Sequence, residues 1–318
     1  MTTRWPRRRW LLAAAVALAV WPVPASAQLT LVGSLDGPAE TVVVSGRHAY
    51  VSAGAELRII DVSDPTSPVQ VGAFTAPDRI YGVAAAEGRV YLACGLRGLL
   101  ILDTSDPARP TLLGTHETPG QTVSVALGDN VALVVNLMTG LEVVDLSDPS
   151  APTLVATRDT PGYQRDVALA GTLAAVVDQP SGVYLFELHG PGAPTALGHH
   201  PAHDAPARSA SFAGDGRLYV VYDRTGLVEI LDIADPDAPR LLGSYSPPGR
   251  PQQIAVRGTT IYIPNGRAGV EVVTVSDPHA PTLMGTYDTP GVARGIAVAG
   301  SRVFVADSTA LLVLEHAQ

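Results

Sequence analysis

Residues 143–157, VVDLSDPSAPTLVAT, read as a β-strand, a sharp turn and a second strand. The flanking runs are β-branched and aliphatic, and the Asp-Pro and second Pro between them are turn formers. The phrase recurs as DVSDPTSP at 61–68, DTSDPARP at 103–110, DLSDPSAP at 145–152, DIADPDAP at 232–239 and TVSDPHAP at 274–281. A worn copy, ELHGPGAP, occupies 187–194. The six starts are spaced by 42, 42, 42, 45 and 42 residues, which is the length of a propeller blade.

Each unit holds three short β-rich runs before the turn and one after it. In the second unit these are Tyr81–Ala86, Arg89–Ala93 and Leu99–Asp103, then Thr111–Thr115. Gly, Asn and Asp separate them, and no long 3.6-residue periodicity intervenes, so the expectation is four antiparallel strands per blade. The tail 293–318 holds three strands and lacks a fourth, whereas Leu29–Leu35 is a fourth strand with nothing ahead of it. The N-terminal strand should therefore complete the last blade. The reading is all-β: a seven-bladed propeller over residues 28–318, closed so that no sheet edge is left open. Within the turn, Asp bonds the backbone two residues on and Pro presets φ. A calcium site from Asp61, Ser63 and Asp64 would need converging ligands beyond one turn.

The runs LRIIDVSDPTSPVQVGAF (57–74), LEVVDLSDPSAPTLVAT (141–157) and LVEILDIADPDAPRLLGSY (227–245) resemble the LVIVD-repeat family of exported bacterial and archaeal proteins. The resemblance implies a β-propeller at the cell surface or in the periplasm. It implies no catalytic residues.

Residues 1–27 read as a secretory signal peptide: Arg4, Arg7, Arg8 and Arg9, the apolar run Leu11–Val20, then Ala25-Ser26-Ala27. Arg8-Arg9 also fits a loose twin-arginine pattern. The expectation is an exported protein, periplasmic, cell-surface or secreted, with no transmembrane segment after cleavage. Residues 28–318 carry 30 acids against 17 arginines, four of the 21 cations lying in the leader, and there is no lysine. This acidic balance disfavours nucleic acid as a partner. Cys94 is the single cysteine, so no internal disulfide forms, and its strand context suggests a half-buried, inert thiol.

If each blade's first strand lines the channel, the fourth-to-first connections crowd one mouth, together with the second-to-third turns. Counting back from the SDP turns, one column there is Arg79, Gln121, Tyr163, Arg208, Arg250 and Val292. Two residues on lie Tyr81, Val123, Arg165, Ala210, Gln252 and Arg294. Guanidinium groups hold carboxylate, sulfate or phosphate by paired hydrogen bonds, so Arg79, Gln121, Tyr163, Arg165, Arg208, Arg250, Gln252 and Arg294 form the candidate ligand site. The competing role is loop bonding, or pairing with Glu40, Asp78 or Asp166. The second-to-third turns carry Ser52, Cys94, Asn136, Asp178, Asp223, Asn265 and Asp307, a column suited to holding turn backbone.

GHHPAHDAPARSASF (198–212) is the least repeat-like stretch and belongs to the connection expected to hold the three extra residues of the 45-residue spacing. His199, His200, His203 and Asp204 are candidates for binding zinc or copper. Neighbouring side chains of a strand face opposite ways, so His199 and His200 should not share one ion. No catalytic residue is assigned and no cofactor is expected: Cys-x-x-Cys-His, G-x-S-x-G and a Gly-rich phosphate loop are all missing. The expected function is a binding or protein-interaction scaffold for a protein partner, an anionic small molecule or an oligosaccharide. The alternative is a lyase or hydrolase of acidic polysaccharide, with Tyr163, His200 or His203 beside Arg165 and Arg208.

Overall fold

Among the described residues, twenty-eight strands form seven four-stranded antiparallel sheets. The computed structural model describes residues 28–316 except 87, 138 and 191, so the signal-peptide reading lies outside the described residues. Blade 1 spans 41–75, blade 2 82–116, blade 3 122–158, blade 4 163–201, blade 5 207–245 and blade 6 255–287. Blade 7 takes its three inner strands from 293–316 and its outermost from Leu29–Asp36, which pairs antiparallel with Ala310–His316. The first strand of each blade touches the first strands of both neighbours, so the ring is closed at its axis. In the second unit the first strand begins at Gly82 rather than Tyr81 and the fourth runs to His116. No helix occurs among the described residues, and none is long and apolar enough to cross a membrane.

The core is not one central mass. It is divided into seven apolar clusters, one at each seam between adjacent blades. At the seam of blades 4 and 5, for instance, Val177, Val183 and Leu185 meet Leu218, Val220 and Leu231. Middle strands are apolar on both faces because each sheet is sandwiched: Val131–Asn136 is buried throughout.

The repeated phrase has two jobs. Asp145 Oδ1 accepts from Ser147 N (2.8 Å) and Oγ (2.7 Å), and Asp148 Oδ1 accepts from Ser150 N (3.0 Å) and Oγ (2.6 Å). Asp61 and Asp64 do the same with Ser63 and Thr66. These bonds hold the carboxylates below their usual pKa and close the turn, which leaves Asp61, Ser63 and Asp64 as turn makers.

The second job is between blades. Every outermost strand is irregular in register at the residue before its glycine, or before Ala156 in blade 3. Such a bulge bends the strand toward its neighbour. The glycine then lies against the carbonyl of the next blade's SDP proline: Gly33 on Pro65, Gly72 on Pro107, Gly114 on Pro149, Gly198 on Pro236 and Gly243 on Pro278. A Cβ at these glycines would fall 1.9–2.5 Å from that oxygen, too close for any other residue. Gly198 N also donates to Pro236 O at 2.9 Å. Where the following turn is the worn copy in blade 4, blade 3 carries Ala156 instead of glycine. The turn and the glycine are two halves of one joint.

Cys94 is fully rather than half buried, and burial pushes its thiol pKa up. It is an inert core side chain, as its strand context required.

Candidate functional site: an arginine-lined channel

The inner strands of blades 3, 4, 5 and 7 slip register at one shared position. The unpaired residues are Val123, Arg165, Arg208 and Arg294. A bulge re-aims the side chain it carries, and three of these four are arginines. The sequence columns therefore need a correction: Arg208 belongs with Arg165 and Arg294, not with Tyr163. The cause is the placing of the three extra residues. Blade 5 carries one before its first strand, one in its first turn (214–216) and one in its second turn (223–227). Counting back from the SDP turn thus misplaces blade 5. For the same reason Tyr222, not Asp223, occupies the buried position at the end of the second strand, matching Asn136 and Asp178.

The channel is a space of about 660 Å³. Its wall includes Arg79, Gln121, Arg165, Arg208, Gln252 and Arg294, together with Glu40 and Asp166. Six of the eight candidate residues are thus brought together. Tyr163 is 60% exposed and is not among the lining residues. Arg250 lines a neighbouring cleft of about 410 Å³ with Arg267, Arg294 and Asn265, whose buried amide has no protein partner. His200 and His203 also lie outside the channel lining, so none of Tyr163, His200 and His203 stands in the wall with Arg165 and Arg208. A larger hollow of about 790 Å³ on the SDP face has Arg89 and Asp129 as its charged lining and no converging set.

Pairing within the channel is incomplete. Arg79 (2.5 Å) and Arg294 (3.3 Å) share the single carboxylate of Glu40. Arg208 reaches Asp223 at 3.4 Å and donates to Gln252 Oε1 at 2.8 Å. Burial pulls the Arg208 pKa down from its usual value, against the pull of Asp223. Arg165 has no ion pair among the described residues. Asp166 is the acid of the inner ring: Oδ1 accepts from Ser124 Oγ (2.7 Å) and Oδ2 from Ala210 N (3.2 Å). One carboxylate therefore ties three consecutive blades. Burial in the narrow channel raises its pKa to about 6, in spite of those bonds and the nearby Arg208.

In the buried column at the second-strand ends, Asp178 and Asp307 hold the fourth-to-first loops. Asp178 accepts from Thr160 Oγ1 and from Gly162 N (2.9 Å), and Asp307 accepts from Gly291 N (2.7 Å). These partners belong to a second repeated phrase that the sequence reading missed: TPG at 118–120, 160–162 and 289–291, with PPG at 247–249. A Cβ on Gly162 or Gly291 would lie 2.3 or 2.0 Å from the Asp carboxylate. Recurrence of TPG at a fixed distance after the SDP turn was the available signal.

Also missed were acids inside third strands. Glu142, Glu229 and Glu271 are buried, and each reaches back to the preceding blade: His116–Glu142 2.6 Å, His200–Glu229 2.8 Å and Tyr245–Glu271 3.1 Å. The signal was an acid repeated at one position in apolar strands. His199 points away, stacked on Tyr184 and bonded to Ser181 O (2.9 Å).

The sequence model of the family described as LVIVD repeat matches residues 36–76, 81–118, 119–160, 215–246 and 248–289. The chain belongs to the LVIVD-repeat family. The gap in the match, 161–214, holds blade 4 with its worn turn and the first strand of blade 5. Among curated proteins no match was found. Solved structures share the fold, among them two that cover about nine-tenths of this chain. The Cps50 (Swd1) β-propeller domain of Myceliophteria thermophila superposes with a TM-score of 0.75 at 8% identity, over 91% of this chain and 100% of its own. The computationally designed Ika8 protein gives 0.68 at 8%, over 90% and 98%.

Proposed function

We propose that this LVIVD-repeat propeller is an exported, non-catalytic binding scaffold whose channel mouth takes an anionic ligand. The ligand is a small molecule, an acidic oligosaccharide or an acidic segment of a partner protein. The observation that carries the reading is the set of three arginines, Arg165, Arg208 and Arg294, presented by matching bulges of the inner strands, with Arg79 beside them. Among the described residues, four guanidinium groups share that space with only Glu40 and Asp166 as acids of the wall, in a chain that is acidic overall. A low-dielectric recess strengthens charge-assisted bonds to an incoming anion. The export half of the proposal rests on the leader pattern of residues 1–27.

The test is a thermal-shift screen of the 28–318 protein against di- and tricarboxylates, uronate oligomers and phosphate esters. Binding to the native state raises the melting temperature by linkage. At least one anion class should do so in a salt-sensitive way. Failure of every class would overturn the anion reading.

A further inference from the structure

Away from the channel, the seam between blades 4 and 5 holds a different chemistry. His200 is in the outermost strand of blade 4 (Thr195–Pro201), Glu229 is in the third strand of blade 5 (Val228–Asp232), and His203 stands in the connection between the blades. One ligand atom from each lies within 4.8 Å of the others. His200 and Glu229 are buried and His203 is exposed, so the trio opens to solvent on one side. The His200 and His203 rings meet edge to face at 5.6 Å. Tyr222 Oη donates at 2.6 Å to Glu229 Oε2, the oxygen that His200 Nε2 also meets, and so helps to fix the carboxylate. Burial pushes the Glu229 pKa up, yet the bonds from His200 and Tyr222 outweigh it and hold the carboxyl below its usual range.

The molecule supplies its own comparison. The seam between blades 2 and 3 carries the same pair, His116 and Glu142 at 2.6 Å, with Asn136 donating to Glu142 at 3.0 Å. No second histidine stands there: the chain after His116 reads ETPGQ, whereas after His200 it reads PAHDAP, one residue longer. The extra residue and His203 turn an ordinary interblade bond into a three-ligand cluster.

We propose that His200, His203 and Glu229 bind one transition-metal dication, zinc or copper(II), at the rim of the blade 4–blade 5 seam. Two imidazole nitrogens and a carboxylate suit those ions, with the solvent side left for water or a further ligand. Tyr222 then serves as the outer partner that orients the carboxylate. Of the four candidates read from the sequence, His199 and Asp204 drop out and Glu229 enters. His199 and His200 indeed face opposite ways.

The experiment is a calorimetric titration of untagged, chelator-treated protein with Zn²⁺ alone, repeated with Cu²⁺. The expected result is one saturable site per chain. His203→Ala, which touches only an exposed side chain, should abolish that site without changing the metal-free melting temperature. Tyr222→Phe should weaken it about 10–100-fold. His199→Ala and His116→Ala should leave it intact. Absence of a saturable site for both ions, or wild-type affinity in His203→Ala, would overturn the proposal.

Discussion

At the scale of single residues, two side-chain positions govern this fold more than their size suggests. Gly72 is where the outermost strand of blade 1 meets the Pro107 carbonyl of blade 2, with 1.9 Å available to a Cβ. Gly72→Ala should therefore cost about 1–3 kcal/mol through forced displacement of packed backbone. Ala156→Gly, at the matching place facing the worn turn, should change stability by only about 0.5–1 kcal/mol, the ordinary entropic cost of glycine in a strand. Denaturant unfolding of the two variants reads both numbers. The second position is Asp166, with its pKa raised to about 6 from 3.8. Between those values the native chain keeps a proton that the unfolded chain has released. Stability on this group's account falls as pH rises through the window and is flat above it. Anion binding follows the same group. Asp166 is neutralised below about pH 6, which removes a negative charge beside the channel arginines, so affinity should rise as pH falls. Asp166→Asn, which can still accept from Ala210 N and donate to Ser124, should remove both slopes. Melting curves and titrations from pH 4 to 8 would show a slope persisting in Asp166→Asn if another group were responsible.

At the scale of elements, the contrast between what the sequence displayed and what it hid has a physical basis. Strand limits, the SDP turns and the pairing of Leu29–Asp36 with the C-terminal strand were legible because alternation, turn residues and spacing are local signals. The aiming of side chains into the channel was not. It depends on which residue of the inner strand is unpaired, and a one-residue bulge leaves no composition mark at Arg165, Arg208 or Arg294. Blade 5 shows the consequence: its three extra residues are spread over three loops, so a count from Asp232 lands on Asp223 where Tyr222 sits. The Gly–Pro joint was half visible. The SDP turn and the outer-strand glycine both recur along the chain, with Ala156 in the glycine's place in blade 3, but their contact runs between blades, about 35 residues apart in Gly72 and Pro107, and only the ring brings them together. The interblade acids Glu142, Glu229 and Glu271 were hidden in the same way. Their partners lie 26, 29 and 26 residues upstream in the preceding blade.

At the scale of the whole molecule, stability comes from seven similar seams and one closure. The closure is noncovalent: Leu29–Asp36 completes blade 7, and the buried Arg58 guanidinium latches its end by donating to Asp36 O at 2.9 Å. Removing residues 28–36 should leave Ala310–His316 as an open edge. The shortened chain should melt at a lower temperature and self-associate in size-exclusion chromatography. A shortened chain that stays monomeric with unchanged melting would mean the ring does not depend on its closing strand. The same ring places arginines from blades 4, 5 and 7 and from the connection into blade 2 at one mouth, and this gathering is the basis of the functional reading. The most direct measurement is a calorimetric titration of the tightest anion from the screen into the wild type and into the Arg165→Ala/Arg208→Ala double variant. The account predicts that the double variant keeps its fold and loses at least about 3 kcal/mol of binding, the sum expected for two charge-assisted contacts. Equal affinity in the two proteins would contradict it and place the ligand elsewhere on the propeller.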